Sequence, residues 1–85
     1  MIMDKEKLES IYKYLEQKNQ EYYLADKSRK EQIEKIVRNY AQTIDREIYL
    51  LLNEGAASGL FRHGFFETDL NNSLRIIREI LDQQI

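Results

Sequence analysis

The chain has 85 residues, with 13 Lys and Arg against 15 Asp and Glu, one His, no Cys and no Pro. This length predicts one domain over 1–85, and a domain of this size buries only about 60–65% of its unfolded surface. The net charge of −2 gives no overall field that attracts nucleic acid or an anionic membrane. The lack of cysteine excludes disulfides and thiolate metal sites.

Neither a signal peptide nor a membrane span is expected. The first residues, MIMDKEKLESIYKY, contain no continuous apolar run. The longest such run, Ile48 to Leu52, is far too short to cross a bilayer. We therefore expect a cytoplasmic protein with no membrane partner. The abundant Lys, Glu, Ile, Asn and Tyr are typical of an AT-rich bacterial or phage genome.

Two amphipathic segments come first in the chain. The first, about 4–24, repeats apolar residues at steps of three, four and seven, which predicts a helix that Asp4 caps. The second, about 29–53, has the strongest apolar stripe of the chain and predicts one helix of ~37 Å. Ser28 and Glu31 fit a capping box at its start.

The connection 25–28 contains neither Gly nor Pro, so two structures are open. In one, the segment is a short turn between two helices. In the other, the first 50 residues or so form a single rod. A heptad frame through that rod places Asn19, Asp26 and Arg29 in the seam, where packing tolerates them poorly. We therefore favour the turn.

A Gly- and Phe-rich segment, 54–68, separates these helices from the last one. It contains all three glycines and all three phenylalanines of the chain and shows no helical or strand period, which predicts a loop. Gly55 is placed to end the second helix in a left-handed cap. Periodic apolar residues then predict a helix over about 69–84, with Thr68 or Asp69 as its N-cap.

These elements predict an all-α fold, a small three-helix bundle. Two long helices form a hairpin with the second as its spine, and a shorter C-terminal helix follows the loop. The predicted core consists of Leu8, Ile11, Leu15, Ile33, Val37, Tyr40, Ile44, Ile48, Leu51, Leu74, Ile77 and Leu81.

No catalytic or metal-binding pattern stands out. His63 is the one histidine, and as a general base it needs an orienting carboxylate and a cleft; Glu54, Glu67 and Asp69 are near only in sequence. A metal site needs three or four ligands at suitable spacing. We expect no enzyme, no cofactor, no metal and no small-molecule substrate.

The loop is the most unusual feature of the sequence. Its phenylalanines either plug the open end of the core or form an exposed docking patch, since exposed aromatic surface marks partner sites. Tyr14, Tyr23 and Tyr49 fall off the apolar stripes and are also candidates for contact. The candidate partner-binding residues of the loop are Leu60, Phe61, Arg62, His63, Phe65 and Phe66.

The function that we expect is a small protein–protein interaction module of the adaptor, regulator or inhibitor type. The second helix has apolar residues on two of its faces, more than one helix neighbour can cover. We therefore also expect a homodimer, whose interface buries the remaining apolar face. The alternative is a nucleic-acid-binding regulator that uses Arg62, Arg75 and Arg78 near Asn71 and Asn72. The long aromatic loop argues against a helix-turn-helix.

Overall fold

A computed structural model describes residues 4–54, 56, 59–62 and 64–83. These residues form four helices and no strand: α1 (Lys5–Leu24), α2 (Lys27–Ala41), α3 (Arg46–Glu54) and α4 (Phe66–Gln83). The predicted all-α bundle is confirmed, with four helices in place of three. The predicted cap at Gly55 lies outside the described residues.

The break between α1 and α2 is confirmed as a short turn. Ala25 and Asp26 both have an extended backbone, and the Asp26 carboxylate accepts the N–H of Arg29 at 2.8 Å. Asp26 is therefore the N-cap of α2. The predicted capping box of Ser28 and Glu31 is wrong, because α2 begins before it.

The single helix predicted over 29–53 is also wrong. α2 ends at Ala41, and α3 begins at Arg46. The Thr43 hydroxyl donates to a carbonyl of the last turn of α2 at 2.7 Å. The Asp45 carboxylate accepts two backbone N–H groups of α3, at 3.0 and 3.4 Å. Side chains of these types compete with helical backbone bonds, so this stretch forms a corner despite its apolar periodicity.

α1 runs antiparallel to α2. The rings of Tyr14 and Tyr40 stack with their centroids 3.7 Å apart. Nearer the start of α1, Lys7 forms an ion pair of 3.2 Å with Asp45, just past the end of α2. Asp4 caps α1 as predicted, since its carboxylate accepts two N–H groups of the first turn.

α1 also runs antiparallel to α4. The ring of Tyr22, in the last turn of α1, lies 4.9 Å from the ring of Phe66 at the start of α4. About three turns away, Tyr12, nearer the start of α1, lies beside Arg78, nearer the end of α4. The central helix is therefore α1, which packs on both α2 and α4, and the prediction that the second helix is the spine is wrong.

The core lies between these helices and includes part of the loop. Of the predicted core residues, five are only half-buried: Tyr40, Ile44, Leu51, Leu74 and Leu81. After the corner, α3 buries Ile48, as predicted, and Leu52, which takes the place expected for Leu51. The buried apolar residues are Leu8, Ile11, Leu15, Ile33, Val37, Ala41, Ile48, Leu52, Phe61, Phe66, Leu70 and Ile77.

Candidate functional site

Two of the three loop phenylalanines belong to the core. Phe61 is 1% exposed and Phe66 is 3% exposed, and their ring centroids lie 5.6 Å apart in a tilted arrangement. Phe66 also contacts the ring of Tyr22. These two rings close the core in the way that the plug interpretation predicts. The docking interpretation does not fit them, because a partner cannot reach a buried ring.

Both backbone polar groups of Phe61, its N–H and its carbonyl, form hydrogen bonds with side chains. Its φ of 59° lies in the left-handed region, which costs a residue with a side chain roughly 1–2 kcal/mol. Its N–H donates to the Asp69 carboxylate at 3.0 Å, and its carbonyl accepts from Arg38 at 3.4 Å. Next to it, the N–H of Leu60 donates to the side chain of Asn53 at 2.9 Å. These bonds and the burial of the ring offset the strain.

Asp69 is 4% exposed, and its role differs from the predicted one. α4 begins at Phe66, so Asp69 lies within the first turn and cannot be the N-cap. Its carboxylate instead turns back to the loop. An acidic residue in this turn also interacts favourably with the helix dipole. The predicted cap at Thr68 is wrong for the same reason.

A second buried carboxylate ties α2 to α1. Glu34 is 8% exposed and lies 3.8 Å from the guanidinium of Arg38. The hydroxyl of Tyr22 donates to Glu34 at 3.4 Å. Burial raises the pKa of Tyr22, and the negative charges of Glu34 and Glu67 raise this pKa further. Since Arg38 also bonds the loop, these contacts connect α1, α2 and Phe61 in one polar chain.

The remaining loop candidates lie at the surface or outside the described residues. Phe65 is 49% exposed, Arg62 is exposed and Leu60 is half-buried. His63 is not among the described residues. Of the three loop phenylalanines, all of them among the described residues, only Phe65 therefore presents its ring to solvent.

The last turn of α1 carries the most exposed large apolar side chains of the described residues. Tyr23 and Leu24 are each 82% exposed, and both line an open groove with Glu67 and Asn71 of α4. Phe65 immediately precedes α4, whose start lies at this end of the bundle. We call Tyr23, Leu24 and Phe65 the apolar end. The sequence signal for Tyr23 was its position off the stripe, and the same signal was available for Leu24.

Arg75 and Arg78, two of the three basic residues predicted for nucleic acid, are accompanied by carboxylates. Arg75 lies 3.2 Å from Glu79, and Arg78 lies 3.6 Å from Asp82, each pair one turn apart on exposed α4 surface. These pairs reduce the positive potential that phosphate binding requires. Nucleic-acid binding stays a prediction.

Two kinds of feature are absent from the part of the chain that the structure describes. No three of its carboxylate side chains come together in a way that would hold a metal ion. None of its helices combines the length and the apolar character that crossing a membrane requires. Compared with known proteins, the chain matches no family model, no curated protein and no solved structure.

Proposed function

We propose that the chain is a small non-catalytic interaction module that binds a protein partner through its apolar end. The observation that carries the proposal is the 82% exposure of both Tyr23 and Leu24. Covering the apolar end removes roughly 300–400 Å² of apolar surface from water, which contributes about 8–10 kcal/mol before the costs of association. Those costs are of similar size, so the partner has to add polar contacts around the apolar centre.

The surroundings of the apolar end suit such contacts. The groove beside Tyr23 and Leu24 is lined by the polar side chains of Asn19, Gln20 and Asn71. An apolar centre with a polar rim is the usual composition of a protein–protein interface. For this function we also propose a cytoplasmic location in a bacterium, which suits the abundance of Lys, Glu, Ile, Asn and Tyr and is compatible with a chain that has no cysteine.

The test compares substitutions in the apolar end with a matched control. Leu24→Ser and Phe65→Ser each remove one apolar contact from the apolar end. Leu50→Ser is the control, because Leu50 on α3 is 46% exposed, close to the 49% of Phe65. The purified proteins are immobilised, and the amount of partner retained from an extract of the producing cells is measured.

We expect each substitution in the apolar end to reduce the retained partner at least tenfold, and the control to retain it fully. Circular dichroism confirms that all three variants keep the helical content of the parent protein. Full retention by Leu24→Ser and Phe65→Ser, or an equal loss for Leu50→Ser, would contradict the proposal.

A further inference from the structure

The turn between α1 and α2 consists of Ala25 and Asp26 only. Neither residue is a helix breaker, and the chain contains no proline at all. What interrupts the helix is the Asp26 side chain, which accepts the N–H of Arg29 at 2.8 Å. A helix that ran through both residues would therefore meet no steric obstacle.

Two buried residues of α1 are in phase with two buried residues of α2 across this turn. Leu15 and Ile33, both buried, are separated by about five full turns of a continuous α-helix. Leu8 and Val37, also both buried, are separated by about eight. In a hairpin, each helix can rotate about its own axis independently of the other, because the turn does not fix their relative rotation. The hairpin therefore does not require these buried residues to fall on one face of a continuous helix. In a single helix over 5–41, ~55 Å long, these residues would lie on one face, with the polar Asn19, Asp26 and Arg29 between the two apolar stretches.

We call a chain with this continuous helix the open chain and the chain with the turn the closed chain. In the open chain, α1 no longer contacts the surface of α2 and α4 that it covers in the closed chain. Leu8, Ile11 and Leu15, buried in the closed chain, then need an identical surface. Only a second copy of the chain provides one. We propose that two copies exchange α1, so that α1 of each copy packs between α2 and α4 of the other.

The exchanged dimer keeps the contacts of the closed chain. The stacking of Tyr14 on Tyr40 and the ion pair of Lys7 with Asp45 form between copies instead of within one. The two states therefore differ mainly in the turn and in the entropy of association. Asp26 favours the closed chain, and high protein concentration favours the dimer. In the exchanged dimer, Tyr23 and Leu24 of one copy lie beside Phe65 of the other, so the apolar end is retained and either proposal can fail without the other.

Lys27→Pro separates the two states. Lys27 is the first residue of α2, a position where proline fits and no hydrogen bond of that helix is lost. The preceding residue, Asp26, has a ψ of 176°, as proline requires. In a continuous helix the same proline clashes with the carbonyl of Tyr23. We expect Lys27→Pro to lower the dimer association constant more than a hundredfold while the monomer stays helical.

Asp26→Ala has the opposite effect. It removes the cap of α2 and places a strong helix former in the turn. After refolding at high concentration, analytical ultracentrifugation should show more dimer for Asp26→Ala than for the parent chain, and almost none for Lys27→Pro. Equal dimer fractions in all three proteins, or monomers throughout, would overturn the proposal.

A cross-link distinguishes exchange from any other dimer. Lys7 and Thr43 are exposed and line one groove, far from the turn, and the chain has no native cysteine. Lys7→Cys and Thr43→Cys chains are refolded together and treated with a short bismaleimide. Exchange predicts a covalent dimer in the mixture and little from either chain alone. No covalent dimer in the mixture, or equal amounts from one chain alone, would overturn the proposal.

Discussion

The Asp69 carboxylate accepts the backbone N–H of Phe61 at 3.0 Å in the interior of the bundle. This bond joins the loop to the first turn of α4. Asp69→Ala leaves that N–H buried without an acceptor, and we expect a loss of about 1–3 kcal/mol in the free energy of unfolding. Asp69→Asn keeps an acceptor oxygen and should lose less. Urea denaturation measures both, and equal losses would show that the hydrogen bond is not what matters.

Substitution of two loop phenylalanines should separate the core from the surface. Phe61→Ala removes a ring that is 1% exposed, which typically costs about 3–5 kcal/mol. A chain of this length has a total stability of roughly 4–13 kcal/mol, so we expect partial or complete unfolding. Phe65→Ala, at 49% exposure, should lower the stability by under ~1 kcal/mol. Thermal unfolding followed by circular dichroism compares them, and a stable Phe61→Ala would contradict the placement of this ring.

The all-α class, the cap at Asp4, the end of α1 at Leu24 and the turn after it were accessible from the sequence, because periodicity and capping are local properties. The start of α2 was placed at Ser28, whereas Asp26 is its cap. The corner at Thr43 and Asp45 was missed. There the apolar period continues from α2 into α3, so the stripe hid the competition between side chains and helical backbone for hydrogen bonds.

The loop required three-dimensional information. Its composition was compatible with both a core plug and an exposed docking patch. Phe61 can be buried only if a buried acceptor is present for its backbone N–H. That acceptor is Asp69, eight positions later, and sequence spacing does not reveal this bond. For the apolar end, the signals were the off-stripe positions of Tyr23 and Leu24 and the place of Phe65 in the Phe-rich loop.

Ser73 offers a site for stabilisation. It is 1% exposed, and its hydroxyl has no hydrogen-bond partner among the described residues. A buried hydroxyl without a partner is unfavourable, and alanine is the better helix former. We expect Ser73→Ala to raise the free energy of unfolding by about 0.5–1 kcal/mol in urea denaturation. A loss of more than ~1 kcal/mol would show that the hydroxyl does have a partner.

The ion pair of Lys7 and Asp45 gives a pH-dependent signal. A hydrogen bond from Lys7 is the main cause that lowers the pKa of Asp45 below its ordinary value of 3.8. The pair therefore contributes stability above that pH, and this contribution is lost as the pH falls through the lowered pKa. NMR titration of Lys7→Met should show the pKa of Asp45 moved upward. An unchanged pKa would show that the capped N–H groups of α3 alone lower it.

The most direct test of the interaction surface is photocrosslinking in the cells that produce the protein. Benzoylphenylalanine replaces Tyr23 in one variant and Leu50 in the control, both exposed apolar positions on different helices. After irradiation, we predict a discrete adduct of higher mass with the label at position 23 and little with the label at position 50. No adduct at position 23, or equal adducts at both positions, would contradict a partner surface at the apolar end.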